Sequence, residues 1–188
     1  ISANLKIQDN KLIQAITRGD RDMGQDITEV LMRCCNLHEV LHWKGHSDGY
    51  LKVELCVPTS EFAPLKEQGY ANRRSATSAI VNSPKNINNA CHIYAVPLLW
   101  YGEDGIDYDP QDSVHLKTAS VRELLDMTTK IISKVKSPDY EFRADGAVLY
   151  PMITDMNTED VMQHAMAFKI NTAQASTRIK RGYVSMGR

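Results

Sequence analysis

The sequence predicts an α+β domain with a mostly antiparallel sheet packed by about three to four helices. Three observations carry that expectation. Apolar residues alternate at period two from Leu51 to Val57, and they recur at helical spacing from Val121 to Val135. The dipeptide Asp145-Gly146 lies between Phe142 and Val148-Leu149-Tyr150, as in a two-residue hairpin. No Gly-rich strand-to-helix turn accompanies these elements, which turns the choice away from parallel βαβ units. A length of 188 residues suits one domain with a sizeable core.

Residues 1–25 read as an N-terminal arm or short helix, because Leu12, Ile13, Ala15 and Ile16 form one short apolar segment between polar flanks. The globular domain is placed at 26–188. Asp26 followed by Glu29 has the form of a capping box. Ile27, Val30, Leu31, Cys34, His38 and Leu41 then recur at helical spacing, so a helix is expected until Gly45 stops it. After a turn at Asp48-Gly49, Leu51, Val53, Leu55 and Val57 point one way and Lys52, Glu54 and Cys56 the other. Pro58 ends that strand.

A loop with Phe62, Ala63, Pro64 and Leu65 leads to a helix over 72–81, with Ala76, Ala79, Ile80 and Val81 inward. Arg73 and Arg74 fall in its first turn, where cations oppose the helix dipole. Residues 82–89 read as turn, and 91–101 as a core strand in which Pro97 marks a bulge or an edge. Glu103-Asp104-Gly105 supplies a turn. Ser120 with Glu123 forms a second capping box, opening a helix striped by Val121, Leu124, Leu125, Thr128, Ile131, Ile132 and Val135 until Ser137-Pro138 ends it. A third helix over 158–168 and a last strand over 177–186 complete the order.

His38-Glu39-Val40-Leu41-His42 matches H-E-x-x-H, in which two imidazoles one helical turn apart bind zinc and the glutamate activates its water. A metallohydrolase built on it would use His38, His42 and Asp48 or His46 as ligands, with Glu39 as base. The favoured reading is structural: His38 lies within the apolar stripe as a hydrogen-bonded core residue, and no sheet is expected ahead of the helix. No catalytic residue, metal or cofactor is therefore assigned. Asp104, Asp107, Asp109 and Asp112 lack the order of a calcium loop and its terminal glutamate, so they read as a solvated acidic loop. Cys34, Cys35, Cys56 and Cys91 lack C-x-x-C spacing and read as reduced, buried thiols. The phosphate-loop, dinucleotide and G-x-S-x-G motifs do not occur. A net charge of −1 argues against a strongly basic nucleic-acid module, local patches apart. There is no signal peptide and no apolar run of membrane-spanning length.

The strand Tyr50-Leu51-Lys52-Val53-Glu54-Leu55-Cys56-Val57 passes through Phe62 to an alanine-rich helix and then an apolar strand. Tyr150-Pro151-Met152-Ile153-Thr154-Asp155 precedes a helix ending Ala165-Met166-Ala167-Phe168. This succession resembles the globular domain of rhabdovirus matrix proteins, the vesiculovirus type in particular, over roughly residues 50–188. The resemblance implies a non-enzymatic viral matrix protein that self-associates, condenses the nucleocapsid and links it to the membrane during virion assembly. Its partners would be itself, the viral nucleocapsid and an anionic membrane surface, with no small-molecule substrate. Leu12, Ile13, Ile16, Phe62, Pro64 and Leu65 would serve self-association. Lys66, Arg73, Arg74, Arg178, Lys180 and Arg181 would face membrane or nucleocapsid. The implied places are the virion, the host cytoplasm and inner membrane face, and the nucleus. The family's basic arm and Pro-Pro-x-Tyr motif are missing, which suits a divergent, plant-infecting member.

Overall fold

The structure, a computed structural model, describes residues 1–18, 24–103, 105–107, 120–135, 137, 140–142, 146–149 and 166–169. Strands β1 (Ser2–Gln8), β2 (Lys11–Thr17), β3 (Gly49–Cys56), β4 (Tyr94–Gly102) and β5 (Gly105–Asp107) form one sheet in the order β2-β1-β3-β4-β5. Every neighbouring pair is antiparallel. The helices are α1 (Thr28–Leu31), α2 (Leu37–Leu41), α3 (Phe62–Glu67), α4 (Arg73–Asn82) and α5 (Val121–Val135), with 3-10 segments at Trp43–Gly45 and Pro84–His92. A separate pair, β6 (Gly146–Leu149) and β7 (Met166–Lys169), is also antiparallel. The expected α+β class with a mostly antiparallel sheet is therefore what the chain adopts.

The core is one face of the sheet. Ala3, Leu5 and Ile7 of β1, Leu51, Val53 and Leu55 of β3, and Ala95 and Trp100 of β4 are buried there together. The helices α1 to α4 add Val30, Leu31, Val40, Leu65, Ala76, Ile80 and Val81. In α4 an Asn72–Ser75 capping box starts the helix: Ser75 N donates to Asn72 Oδ1 at 2.9 Å and Asn72 N to Ser75 Oγ at 3.2 Å. Thr77 is buried in that helix and Ala79 only half-buried, because the Thr77 hydroxyl donates to Arg73 O (2.9 Å) and accepts from Val57 N (3.1 Å). At Pro97 the β3–β4 register slips by one residue, so the bulge expected there is present. Ser120 and Glu123 cap α5 reciprocally, as their spacing suggested.

Several elements differ from expectation. Leu12, Ile13 and Ile16 lie on a strand, not a helix: Asp9 and Asn10, with φ of 51° and 56°, make a two-residue turn that folds β2 onto β1. The single helix expected from Asp26 to Gly45 is broken. Asp26 bridges to Ile16, and its carboxylate accepts Thr28 N (2.9 Å) and Thr28 Oγ1 (2.7 Å). Between α1 and α2 the backbone turns to the margin of β4, where Cys35 N donates to Ile93 O (2.9 Å). The buried Asn36 amide there donates to Ala95 O and accepts from Ala95 N, both at 2.9 Å. It thus completes a margin of β4 outside Trp100, Tyr101 and Gly102, the residues that pair with β5 among the described residues.

The segment Pro84–His92 winds as 3-10 helix and carries Cys91, so β4 begins at Tyr94. Gly146–Leu149 pairs with Met166–Lys169, the partner that the described residues show for this strand, and residues 166–168 form a strand instead of a helix end. Asp145, the rest of the helix expected over 158–168 and the strand expected over 177–186 lie outside the described residues.

Candidate functional site

Period two sends alternate residues of each strand to the opposite face of the sheet. Ser2, Asn4 and Lys6 on β1 lie opposite Glu54, Lys52 and Tyr50 on β3. Beyond the bulge, β4 brings Leu99 and Tyr101 next to Lys52 and Tyr50. Arg18 follows β2 and continues its ladder, its N–H donating to Ser2 O at 3.0 Å. Ser2, Ala3, Asn4, Arg18, Lys52, Leu99 and Tyr101 line a groove of about 430 Å³.

The groove mixes apolar and polar lining, and its charge is positively biased by Arg18 and Lys52. Glu54 is already engaged: Ser2 Oγ donates to Glu54 Oε2 at 2.7 Å. Burial pushes the Lys52 ammonium below its usual range, the nearby Arg18 charge pushes it further, and Glu54 pulls it partly back. Among the described residues neither Arg18 nor Lys52 makes a direct ion pair. Two unneutralised cations beside a hydroxyl and an amide suit an anion that presents several oxygens, a phosphate above all.

The residues singled out from sequence do not converge. Leu12 and Leu65 are buried in the core, Ile16 is half-buried, Phe62 packs half-buried on the core, and Ile13 and Pro64 are exposed. Lys66 and Arg74 are exposed. Arg73 is turned to a structural task, its guanidinium donating to Thr59 Oγ1 and to Glu141 O (2.9 Å). Arg178, Lys180 and Arg181 lie outside the described residues.

The histidine motif lies on a helix of only five residues. His42 caps the five-residue α2, its Nδ1 within 2.9 Å of His38 O, and the two rings stack at 4.4 Å. His38 is exposed, so it is no core histidine either. Glu39 accepts from the Tyr94 hydroxyl (3.2 Å), and Asp48 accepts from Asp9 N (3.1 Å) and Ser47 Oγ (2.6 Å). His46 stacks on Trp100 and meets Asp107 at 3.2 Å, and Lys44 reaches the same carboxylate at 2.7 Å. Asp107 is therefore part of an ion-paired cluster instead of a solvated loop. No group of three or more metal-binding side chains assembles among the described residues, and the zinc-hydrolase alternative has no support here. All four cysteines are free, with only Cys34 buried; burial pushes the Cys34 and Cys56 thiols up to about 12.

Arg18, Ser2 and Lys52 were not among the predicted site residues. The signal for Lys52 and Glu54 was present in the β3 alternation, which sets them opposite the core. Their grouping with Arg18 and Ser2 depends on the strand order, which brings residues far apart in sequence to one face.

No protein-family model matches the chain. Curated relatives do. The DNA ligase of Mycoplasmopsis agalactiae is 23% identical over 210 residues, which is 100% of this chain and 31% of that protein. The DNA ligase of Fusobacterium nucleatum subsp. nucleatum is 24% identical over 204 residues, 94% of this chain and 29% of its own length. That of Pseudothermotoga lettingae is 22% identical over 220 residues, covering 100% of the chain and 31% of the ligase. The chain thus spans less than a third of the length of these relatives.

These matches overturn the resemblance to rhabdovirus matrix proteins. Chain-long similarity to bacterial proteins named DNA ligase displaces a likeness that rested on element order and hydrophobic pattern, which many α+β domains share. The non-enzymatic role, the nucleocapsid and membrane partners, and placement in a virion or at a host membrane fall with it.

Proposed function

We propose that the chain is part of a DNA-joining enzyme and that the polar face of its sheet meets phosphate groups of the substrate. The match to bacterial DNA ligases along the chain carries this reading. The groove between Arg18 and Lys52 supports it. Joining two DNA ends makes a phosphodiester when the hydroxyl of one end attacks an activated phosphate on the other and displaces the activating group, with loss of the hydroxyl proton. A protein that does so must hold phosphate oxygens in fixed positions and steady their charge as bonds change. Arg18 and Lys52 would supply that charge, with the Asn4 amide as a neutral partner. Glu54, holding Ser2 Oγ at 2.7 Å, fixes the edge of the groove.

Anisotropy titrations of a fluorescein-labelled nicked duplex test the assignment. Binding is expected to weaken as salt rises. The R18Q/K52Q double variant should lower affinity and reduce the logarithmic salt slope by about two, near one per lost phosphate contact. A chain that ignores nicked DNA at low salt would sink the reading. A double variant with the parent's slope would move the phosphate contact elsewhere. In the protein carrying this chain, the same pair is expected to slow nick sealing on a denaturing gel.

A further inference from the structure

At one end of the polar face Tyr50 and Tyr101 stack with ring centroids 5.2 Å apart and planes inclined by 11°. Tyr50 is 41% exposed, one of the few large apolar side chains left to solvent among the described residues. Tyr101 also lines the Arg18–Lys52 groove, so rings and cations share one continuous surface. Lys6 lies directly across β1–β3 from Tyr50, and Lys52 is two residues along the same face. A cross-strand tyrosine pair serves a sheet without any charged surroundings. Here the rings are flanked by amines on two strands, an arrangement that takes a planar base on the rings and its neighbouring phosphates on the amines.

We propose that the Tyr50–Tyr101 pair is a stacking platform for a nucleobase held out of the duplex, with Lys6 and Lys52 receiving the flanking phosphates. The inference rests on the DNA-joining reading and deepens it by naming the substrate feature that this end of the face engages: an unpaired base at the discontinuity.

Three labelled duplexes test it: one intact, one nicked, and one nicked with a single unpaired base at the break. The parent chain is expected to bind the third most tightly. Y50L/Y101L should lose about tenfold more on that duplex than on the intact one, whereas Y50F/Y101F, keeping the rings, should stay within about twofold of the parent on all three. Because a leucine pair can disturb the sheet, a second measurement uses the unaltered chain. A 5-iodouracil at the unpaired position is irradiated, and the adduct is expected on a peptide containing Tyr50 or Tyr101. A leucine variant that binds all three duplexes like the parent, or an adduct mapped elsewhere, overturns the platform alone. Failure of the parent to bind any of the three overturns the DNA-joining reading as well.

Discussion

Neighbouring residues of β3 occupy opposite environments. Leu51, Val53 and Leu55 are 0%, 0% and 1% exposed, whereas Tyr50 is exposed and Lys52 and Glu54 between them are half-buried. The inner set is fixed by volume, since each side chain fills space against helices and adjacent strands. The outer set is fixed by charge and hydrogen bonding, with Ser2 on Glu54 and Arg18 near Lys52. A single strand therefore separates what holds the fold from what the proposed phosphate site would use. Substitutions one residue apart should separate stability from binding.

The largest effect is expected on the inner face. Leu55→Ala leaves a void in a close-packed core and should cost about 3 kcal/mol of unfolding free energy in urea titrations. The DNA affinity of the protein that remains folded should be unchanged. A cost below about 1 kcal/mol would mean that this face collapses readily, and the contrast between the faces would lose its basis.

Asn36→Ala should follow, at about 2 kcal/mol. It removes no large apolar surface, but it strands the N–H and C=O of Ala95 at a buried margin of β4. The expected marker is faster hydrogen exchange at Ala95 than at Leu55, its partner across β3–β4. Exchange that stays equally slow at both would show that another group completes the margin.

What could be read from the sequence follows the same division. The β3 alternation, the cap opening α5, the start of α4 and the bulge at Pro97 are local chemistry, and each was legible. The β1–β2 hairpin was not recognised, because Leu12, Ile13 and Ile16 fit one turn of helix as well as a strand. The signal that favours the strand, two turn-forming residues at Asp9-Asn10, lies ahead of them. The break between α1 and α2 was illegible for a physical reason. It is set by Asn36 and Cys35 bonding to β4, some sixty residues on. The same holds for the site. The H-E-x-x-H match is complete within five residues yet gathers no third metal-binding side chain among the described residues, while the groove is assembled from β1, β3, β4 and the residue after β2. A net charge of −1 concealed it, because that sum averages over the cations gathered on one face.

The smallest effect on stability, and the sharpest on binding, is expected at Lys52. Its ammonium titrates below the ordinary 10.5 in the folded chain, chiefly through burial and then through Arg18. Between that lowered value and 10.5 the unfolded chain still holds the proton that the folded chain has released, so stability rises with pH across this window. Below it both states are charged and the burial of the ammonium is felt in full. Lys52→Met should therefore stabilise the fold slightly near neutral pH, by about 0.5 kcal/mol, and the gain should fade as pH rises through the window. Binding runs the other way, because a phosphate prefers the charged amine. Parent affinity for nicked DNA should fall as pH climbs toward 10.5, Lys52→Met should flatten that fall, and Lys52→Arg, which keeps its charge, should hold affinity at high pH. If the methionine variant shows the parent's pH profile in anisotropy titrations, the titrating cation lies elsewhere. The two faces of β3 would then differ in packing alone.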